Sequence, residues 1–331
     1  MTYNFCSILA PTVKRYLSLK EALGRRYSVE RDILAHLDAF LAATGDDLTP
    51  VTFQRWIETR LQLTSGVRRN WMRIARNLCL YRRRTEPTCF VPDSSQFPTA
   101  HQTMRPYIFR EAEIVRLLAE TKRLQPTKNS PLQRQNAMLG IVLLYTAGLR
   151  RGELLKLTVG DCDLSEGTLL VRDSKFHKSR LLPLSNDALW AIKTALHERQ
   201  AKHIPSGTDA PLLWSHHSRT GAYSGTGFSE IIGGLLRRCA IRTLDGRPPR
   251  VHDFRHTFAA HALLRWYRAG KNVQVNLLSL ATYMGHISIA STEYYLQFVE
   301  ELAVAASDRF ERRYGAVIQE PQGFATLGGR S

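Results

Sequence analysis

The stretch QRQNAMLGIVLLYTAG, residues 133–148, is long enough for a helix and largely apolar. A helix apolar on most of its sides belongs inside a domain, with other elements packed over it. The segments after it are short and more polar. RRGELLKLT reads as a brief helix after Gly148, and GTLLVRD and SRLLPLS read as two strands flanking SKFHK, a hairpin with a basic tip. Further helices are expected at about 109–124, 186–201, 226–239, 253–268, 273–284 and 290–310.

The first 84 residues have a different character. APTVKRYLSLKEAL, VERDILAHLDAFLAAT, DDLTPVTFQRWIETRLQL and SGVRRNWMRIARNLCLYRRR each carry apolar residues at helical spacing. Thr49-Pro50 supplies a cap and first turn for the third. Four helices over about 9–84 predict a small bundle. Residues 85–107 then hold four prolines with little periodicity, as an interdomain linker would. The expected division is an N-terminal helical domain at 1–90, a linker at 91–107, a second domain at 108–314 and a tail at 315–331. The fold class is mainly α with a small antiparallel β-sheet.

Charge narrows the partner. Lys+Arg is 46 against Asp+Glu 29, a net charge of +17. Such an excess calls for a polyanion, and nucleic acid is the commonest one. Arg68, Arg69, Arg73, Arg76, Arg82, Arg83 and Arg84 lie on or just after the fourth helix with no acidic residue between them. Arg69, Arg73 and Arg76 share a face. Phosphate contact is preferred here over a merely solubilising face. The five cysteines form no C-x-x-C or His/Cys cluster, so no metal or other cofactor is expected, and reduced thiols are. The first residues do not read as a signal peptide, and no run approaches the ~20 apolar residues that span a bilayer. The expectation is a cytoplasmic, nucleoid-associated bacterial protein without a membrane partner.

Four separated pieces could carry chemistry: TAGLRRGELLKLTVGD (146–161), SKFHKSRLLPL (174–184), VHDFRHTFAAHAL (251–263) and MGHISIASTEYYLQF (284–298). Each alone has an ordinary reading as a salt bridge, a solvated lysine, a capping pair or a packed tyrosine. Together they supply what phosphoryl transfer without a metal requires. Arginines present a planar fork to phosphate oxygens. Other groups must move protons, and one must attack.

These blocks resemble those of the tyrosine recombinases, the phage-integrase family, over about 140–300. The family shows T-G-L-R-x-x-E-L, a hairpin lysine, H-x-L-R-H-T, and L-G-H followed nine residues on by a tyrosine. Here the corresponding runs are T-A-G-L-R-R-G-E-L, S-K-F-H-K-S-R-L-L-P-L, H-D-F-R-H-T-F and M-G-H, with Tyr295 nine residues after His286. The N-terminal helices are similar to the family's core-binding, SAM-like domain in position and length only, and the two domains of the family form a C-shaped clamp on DNA. The run Tyr295-Leu296-Gln297 lacks the histidine that often follows the tyrosine, and MGH replaces LGH. The last block looks most like transposon-borne integrases.

The resemblance implies a role for each matched residue. Arg150 and Arg255 would hold the scissile phosphate, and Lys175 would protonate the leaving 5′ oxygen, with Lys178, three residues on, a DNA contact and its substitute. His252 would accept the tyrosine proton or support phosphate binding, His286 would hydrogen-bond the phosphate, and Tyr295 would be the nucleophile. Glu153 would orient the site, and His256 would be structural. Tyr294, in step with Ala290 and Phe298, would pack. The implied activity is site-specific recombination or transposition through a 3′-phosphotyrosyl link and a Holliday junction. The implied partners are double-stranded DNA with inverted-repeat core sites, a dimer on one site and a homo-tetramer on two, and other recombinases of the same element. Two alternatives stay open: a catalytically silent DNA-binding member of the fold, and a strand relaxer like the type IB topoisomerases.

Overall fold

The computed structural model describes residues 3–25, 27–99, 105–172 and 179–285. The chain divides into two compact units, Met1–Met104 and Arg105–Ser331. The described part is mainly helical with one small antiparallel sheet.

The first unit holds α1 (Ala10–Ala22), α2 (Ser28–Thr44), α3 (Pro50–Glu58) and α4 (Ser65–Arg82). Its core gathers Leu34, Leu37 and Leu41 of α2, Trp56 of α3, and Ile74 and Leu78 of α4. The start of α3 is fixed as its sequence predicts. The Thr49 hydroxyl accepts from Thr52 N (3.2 Å), the Thr52 hydroxyl accepts from Thr49 N (2.7 Å), and Pro50 occupies the first turn, where no N–H is needed. Buried Asp38 accepts from the backbone N–H groups of Cys6 and Ser7 at 2.9 and 3.1 Å, so the segment before α1 is tied to α2. Phe97, inside the expected linker, is buried in this same core, and Phe90 and Val91 pack against it.

The second unit is assembled on α6 (Gln133–Thr146), the apolar helix. Packed against it are α5 (Glu111–Thr121), the short α7 (Arg151–Leu154), α8 (Asn186–Ala201), α9 (Gly225–Arg238) and α10 (Asp253–Arg268). Gly140 lets α9 come close: a Cβ there would lie 2.6 Å from the Phe228 ring. At the start of the unit, Phe109 N donates to the Thr257 hydroxyl (3.0 Å) and the Phe109 ring stacks on Phe254 at 4.5 Å. A satellite core joins α10 to α11 (Val273–Met284) through Leu263, Leu264, Leu277, Leu280 and Met284.

The expected hairpin is part of a three-stranded sheet in the order β1 (Cys162–Asp163), β2 (Thr168–Val171), β3 (Arg180–Pro183). Leu169 pairs with Leu182 and Val171 with Arg180. The added strand β1 pairs Cys162 with Leu169 and is two residues long, too short to show an alternation. Leu169, Val171 and Leu182 are buried in the main core. The hairpin tip, with Lys175 and Lys178, and the expected helix at 290–310 lie outside the described residues, as does the tail at 315–331. Among the described residues no helix is long and apolar enough to cross a membrane.

Candidate active site

Glu153 is the centre of the site. It sits at the third position of α7 and reaches back to the helix start. Its Oε2 accepts from the backbone N–H of Arg150 at 2.9 Å, which is half of a capping box and explains the R-x-x-E spacing locally. Its side chain is only 6% exposed. Three guanidinium groups surround it. Arg150 Nη1 donates to Oε1 at 2.7 Å. Arg180, from β3, donates through Nη1 to Oε1 (3.2 Å) and through Nη2 to Oε2 (2.9 Å). Arg255, from the first turn of α10, has Nη1 3.9 Å from Oε2. Burial works against the carboxylate. The hydrogen bonds from Arg180 and from the Arg150 backbone, with the surrounding positive charge, outweigh it and hold the group down at about 2.

The same arginines hold the end of α11. The last carbonyls of a helix have no partner within it. Here Arg180 Nε donates to Tyr283 O (2.8 Å), Arg255 Nη2 to Met284 O (2.6 Å) and Arg150 Nη2 to Gly285 O (2.9 Å). Three successive carbonyls at the negative end of the helix dipole thus each receive a cation. Arg255 Nη1 also donates to Gly148 O at 2.6 Å, so one buried guanidinium joins the turn after α6 to the turn after α11.

Both turns need glycine. Gly148 has φ +59°, and a Cβ would lie 2.4 Å from the Phe258 ring. Gly285 has φ +67°, caps α11, and brings its backbone against Arg180 and Arg150: a Cβ would lie 3.1 Å from Arg180 Nη1. The glycines of TAGLR and MGH are therefore parts of the site.

His252 caps the start of α10 one turn before Arg255. Its imidazole is held below the usual histidine range by desolvation and then by the Arg255 charge, with Asp253 opposing. Both effects favour the neutral imidazole, the form that can accept a proton. His256 meets it edge-on, with ring centroids 4.7 Å apart, and is pushed down to about 4 by desolvation and by His252.

The site thus brings together four residues expected from sequence: Arg150, Glu153, His252 and Arg255. Lys175, Lys178, His286 and Tyr295 lie outside the described residues, as does Tyr294. Arg180 was missed. The available signal is its place two residues before buried Leu182, hence on the inner face of β3, where an arginine requires a buried acceptor.

On α4 the arginines divide. Arg73, Arg83 and Arg84 are exposed and Arg68, Arg69 and Arg76 half-buried. Arg82 is held by Asp47 through Nη1 and Nη2 at 2.6 and 2.7 Å, and by Glu86 at 2.8 Å. Arg69 donates to Pro98 O at 2.7 Å. Arg82 is thus tied to acidic residues of its own unit.

Residues 108–301, more than half of the chain, match the Phage integrase family, and the chain belongs to that family of tyrosine recombinases. A relative from Sinorhizobium fredii named "Putative integrase/recombinase y4rE" is 31% identical over 311 residues, covering 92% of this chain and 96% of its own. The tyrosine recombinase XerD of Caulobacter vibrioides is 33% identical over 198 residues, 59% of each chain. Among solved structures, the Tn1549 transposon integrase in complex with transposon right-end DNA shares the fold with a TM-score of 0.59 at 17% identity, covering 91% of this chain and 98% of that one. Family membership makes the protein a site-specific recombinase.

Proposed function

We propose that the chain cuts and rejoins DNA strands through Tyr295, for integration, excision or transposition of a mobile element. The observation that carries this reading is the meeting of Arg150 and Arg255, 105 positions apart in sequence, at Glu153, with His252 at the start of the same helix as Arg255. Arg180 covers both oxygens of Glu153, so the cluster keeps the positive charge of Arg150 and Arg255 in surplus. A phosphodiester is the anion that suits it.

In this reading Arg150 and Arg255 hold the non-bridging oxygens, with His286 as a further donor. The Tyr295 oxygen attacks phosphorus as His252 takes its proton. A free tyrosine has a pKa of about 10, so proton removal must accompany attack. The bond from phosphorus to the 5′ oxygen breaks, and Lys175 supplies that oxygen's proton. The product is a 3′-phosphotyrosyl strand and a free 5′-hydroxyl. The link conserves the phosphodiester, so a second 5′-hydroxyl can reverse the step without ATP or metal, and paired exchanges pass through a Holliday junction. Charge preplaced around the phosphate stabilises the transition state.

The reading extends to organisation. Residues 1–90 form the core-binding domain, 91–107 the linker, 108–314 the catalytic domain and 315–331 a tail. Arg68, Arg69, Arg73, Arg76, Arg83, Arg84 and Lys178 contact DNA, and the assembly is a dimer on one inverted-repeat site and a tetramer on two. It acts in the cytoplasm at the nucleoid, alone or with other recombinases of its element. The likeness of the fold to a transposon integrase supports the mobile-element role.

Incubation with nicked target DNA tests the chemistry. The expected result is a covalent complex that survives denaturation, maps to Tyr295 and disappears in Tyr295→Phe. A Tyr295→Phe protein that still exchanges strands, or an adduct on Tyr294, overturns the assignment.

A further inference from the structure

Arg180 lies within the matched run S-K-F-H-K-S-R-L-L-P-L, and the resemblance assigns it no role. All three of its guanidinium nitrogens meet protein acceptors: Nε the carbonyl of Tyr283, Nη1 and Nη2 the two oxygens of Glu153. Its side chain is 11% exposed. Arg150 and Arg255 each give one nitrogen to the end of α11 as well, but in the proposed function both must also hold a phosphate. Arg180 has its fork filled by protein, so its position does not depend on DNA.

The placement matters because of what each end leads to. Tyr283 is three residues before His286 and twelve before Tyr295. Arg180 begins the strand that leaves the hairpin tip, five residues after Lys175. Glu153 is one helical turn from Arg150. A single side chain therefore ties together β3, α7 and the end of α11. Gly285 lets it do so, since its hydrogen in place of a methyl leaves room beside Arg180 Nη1.

We propose that Arg180 is a positioning residue: with Glu153 it locks the last turn of α11 against β3, and so fixes where the chain enters the segment that carries His286 and Tyr295. The inference rests on the proposed function for its catalytic consequence, and on contacts alone for the lock. Lysine could not replace it, because one ammonium point charge cannot match both carboxylate oxygens and a separate carbonyl.

The test compares the full-length protein with Arg180→Met and Arg180→Lys. Single-turnover cleavage of nicked DNA at saturating protein is read beside DNA affinity and amide hydrogen exchange at residues 281–285. Arg180→Met is expected to cleave roughly tenfold to a hundredfold more slowly, the cost of misplacing a reacting group by about 1 Å. DNA affinity should stay within about twofold, since a misplaced group alters the reacting geometry more than binding. Exchange should quicken at the end of α11 and stay unchanged in the middle of α10. Arg180→Lys should fall between. Wild-type cleavage rates in Arg180→Met, or unchanged exchange at 281–285, overturn the inference. So does a loss of cleavage matched by an equal loss of DNA affinity. If the unaltered protein forms no adduct at all, it is the proposed function that fails, and hydrogen exchange still decides the lock.

Discussion

At the scale of single residues, Glu153 does not react, yet it decides how three cations coexist. Replacing it with glutamine leaves Arg150, Arg180 and Arg255 without their anion, and removing one partner of a buried pair is costly. The sign of its pH dependence is set by the depressed pKa. Its carboxyl lies near 4.5 unfolded and about 2 folded, so its stabilisation is complete above pH 4.5 and lost as pH falls toward 2. Urea titrations should show the wild type losing about 3 kcal/mol across that window through this group. Glu153→Gln should be less stable at neutral pH and lack that share of the acid decline; an identical acid limb in both proteins refutes the assignment. Sequence made Arg150, Glu153, His252 and Arg255 legible because motif and spacing single them out. Arg180 was hidden, because a buried arginine in a strand is recognised only once its acceptors are known, and those come from residues 153 and 283.

At the scale of elements, apolar periodicity located the helices closely. Expected 226–239 is observed as Gly225–Arg238, and 253–268 and 273–284 as Asp253–Arg268 and Val273–Met284. Periodicity failed where too few residues carry a pattern, as in β1. It also could not say how tightly α6 meets its neighbours. That closeness is testable at Gly140, away from the arginine cluster. A methyl there would meet the Phe228 ring at 2.6 and 2.8 Å, and Phe228 is 1% exposed. Alanine ordinarily favours a helix over glycine by about 1 kcal/mol. Here overpacking should reverse the sign, and Gly140→Ala should destabilise by about 1–3 kcal/mol. A higher melting temperature in Gly140→Ala would show that α9 can retreat.

At the scale of the whole molecule, the net charge of +17 announced a polyanion before any motif was read. It could not say which cations are available. A helix with seven arginines on or beside it looks uniform in sequence, because the acids that engage it come from elsewhere: Asp47 lies before α3, and Glu86 comes after α4. The first unit also reaches further than composition indicated, since Phe97 from the proline-bearing segment enters its core. These contacts separate two arginines that sequence treats alike. Arg73 is exposed and bonded only locally, to Asn70, whereas Arg82 makes a two-pronged pair with Asp47 and a further bond to Glu86. If Arg73 contacts phosphate, Arg73→Ala should weaken DNA binding about equally on all sequences and reduce the salt slope by about 1, with stability unchanged. Arg82→Ala should instead lower the melting temperature of the first unit, because Asp47, whose own pKa is depressed chiefly by its hydrogen bond from Arg82, loses that partner. Its salt slope should stay that of the wild type. Binding measured from low to moderate salt, beside thermal melts of both variants, separates the two roles. A salt slope altered in Arg82→Ala and not in Arg73→Ala would reverse the assignment and place the phosphate at the C-terminal end of α4.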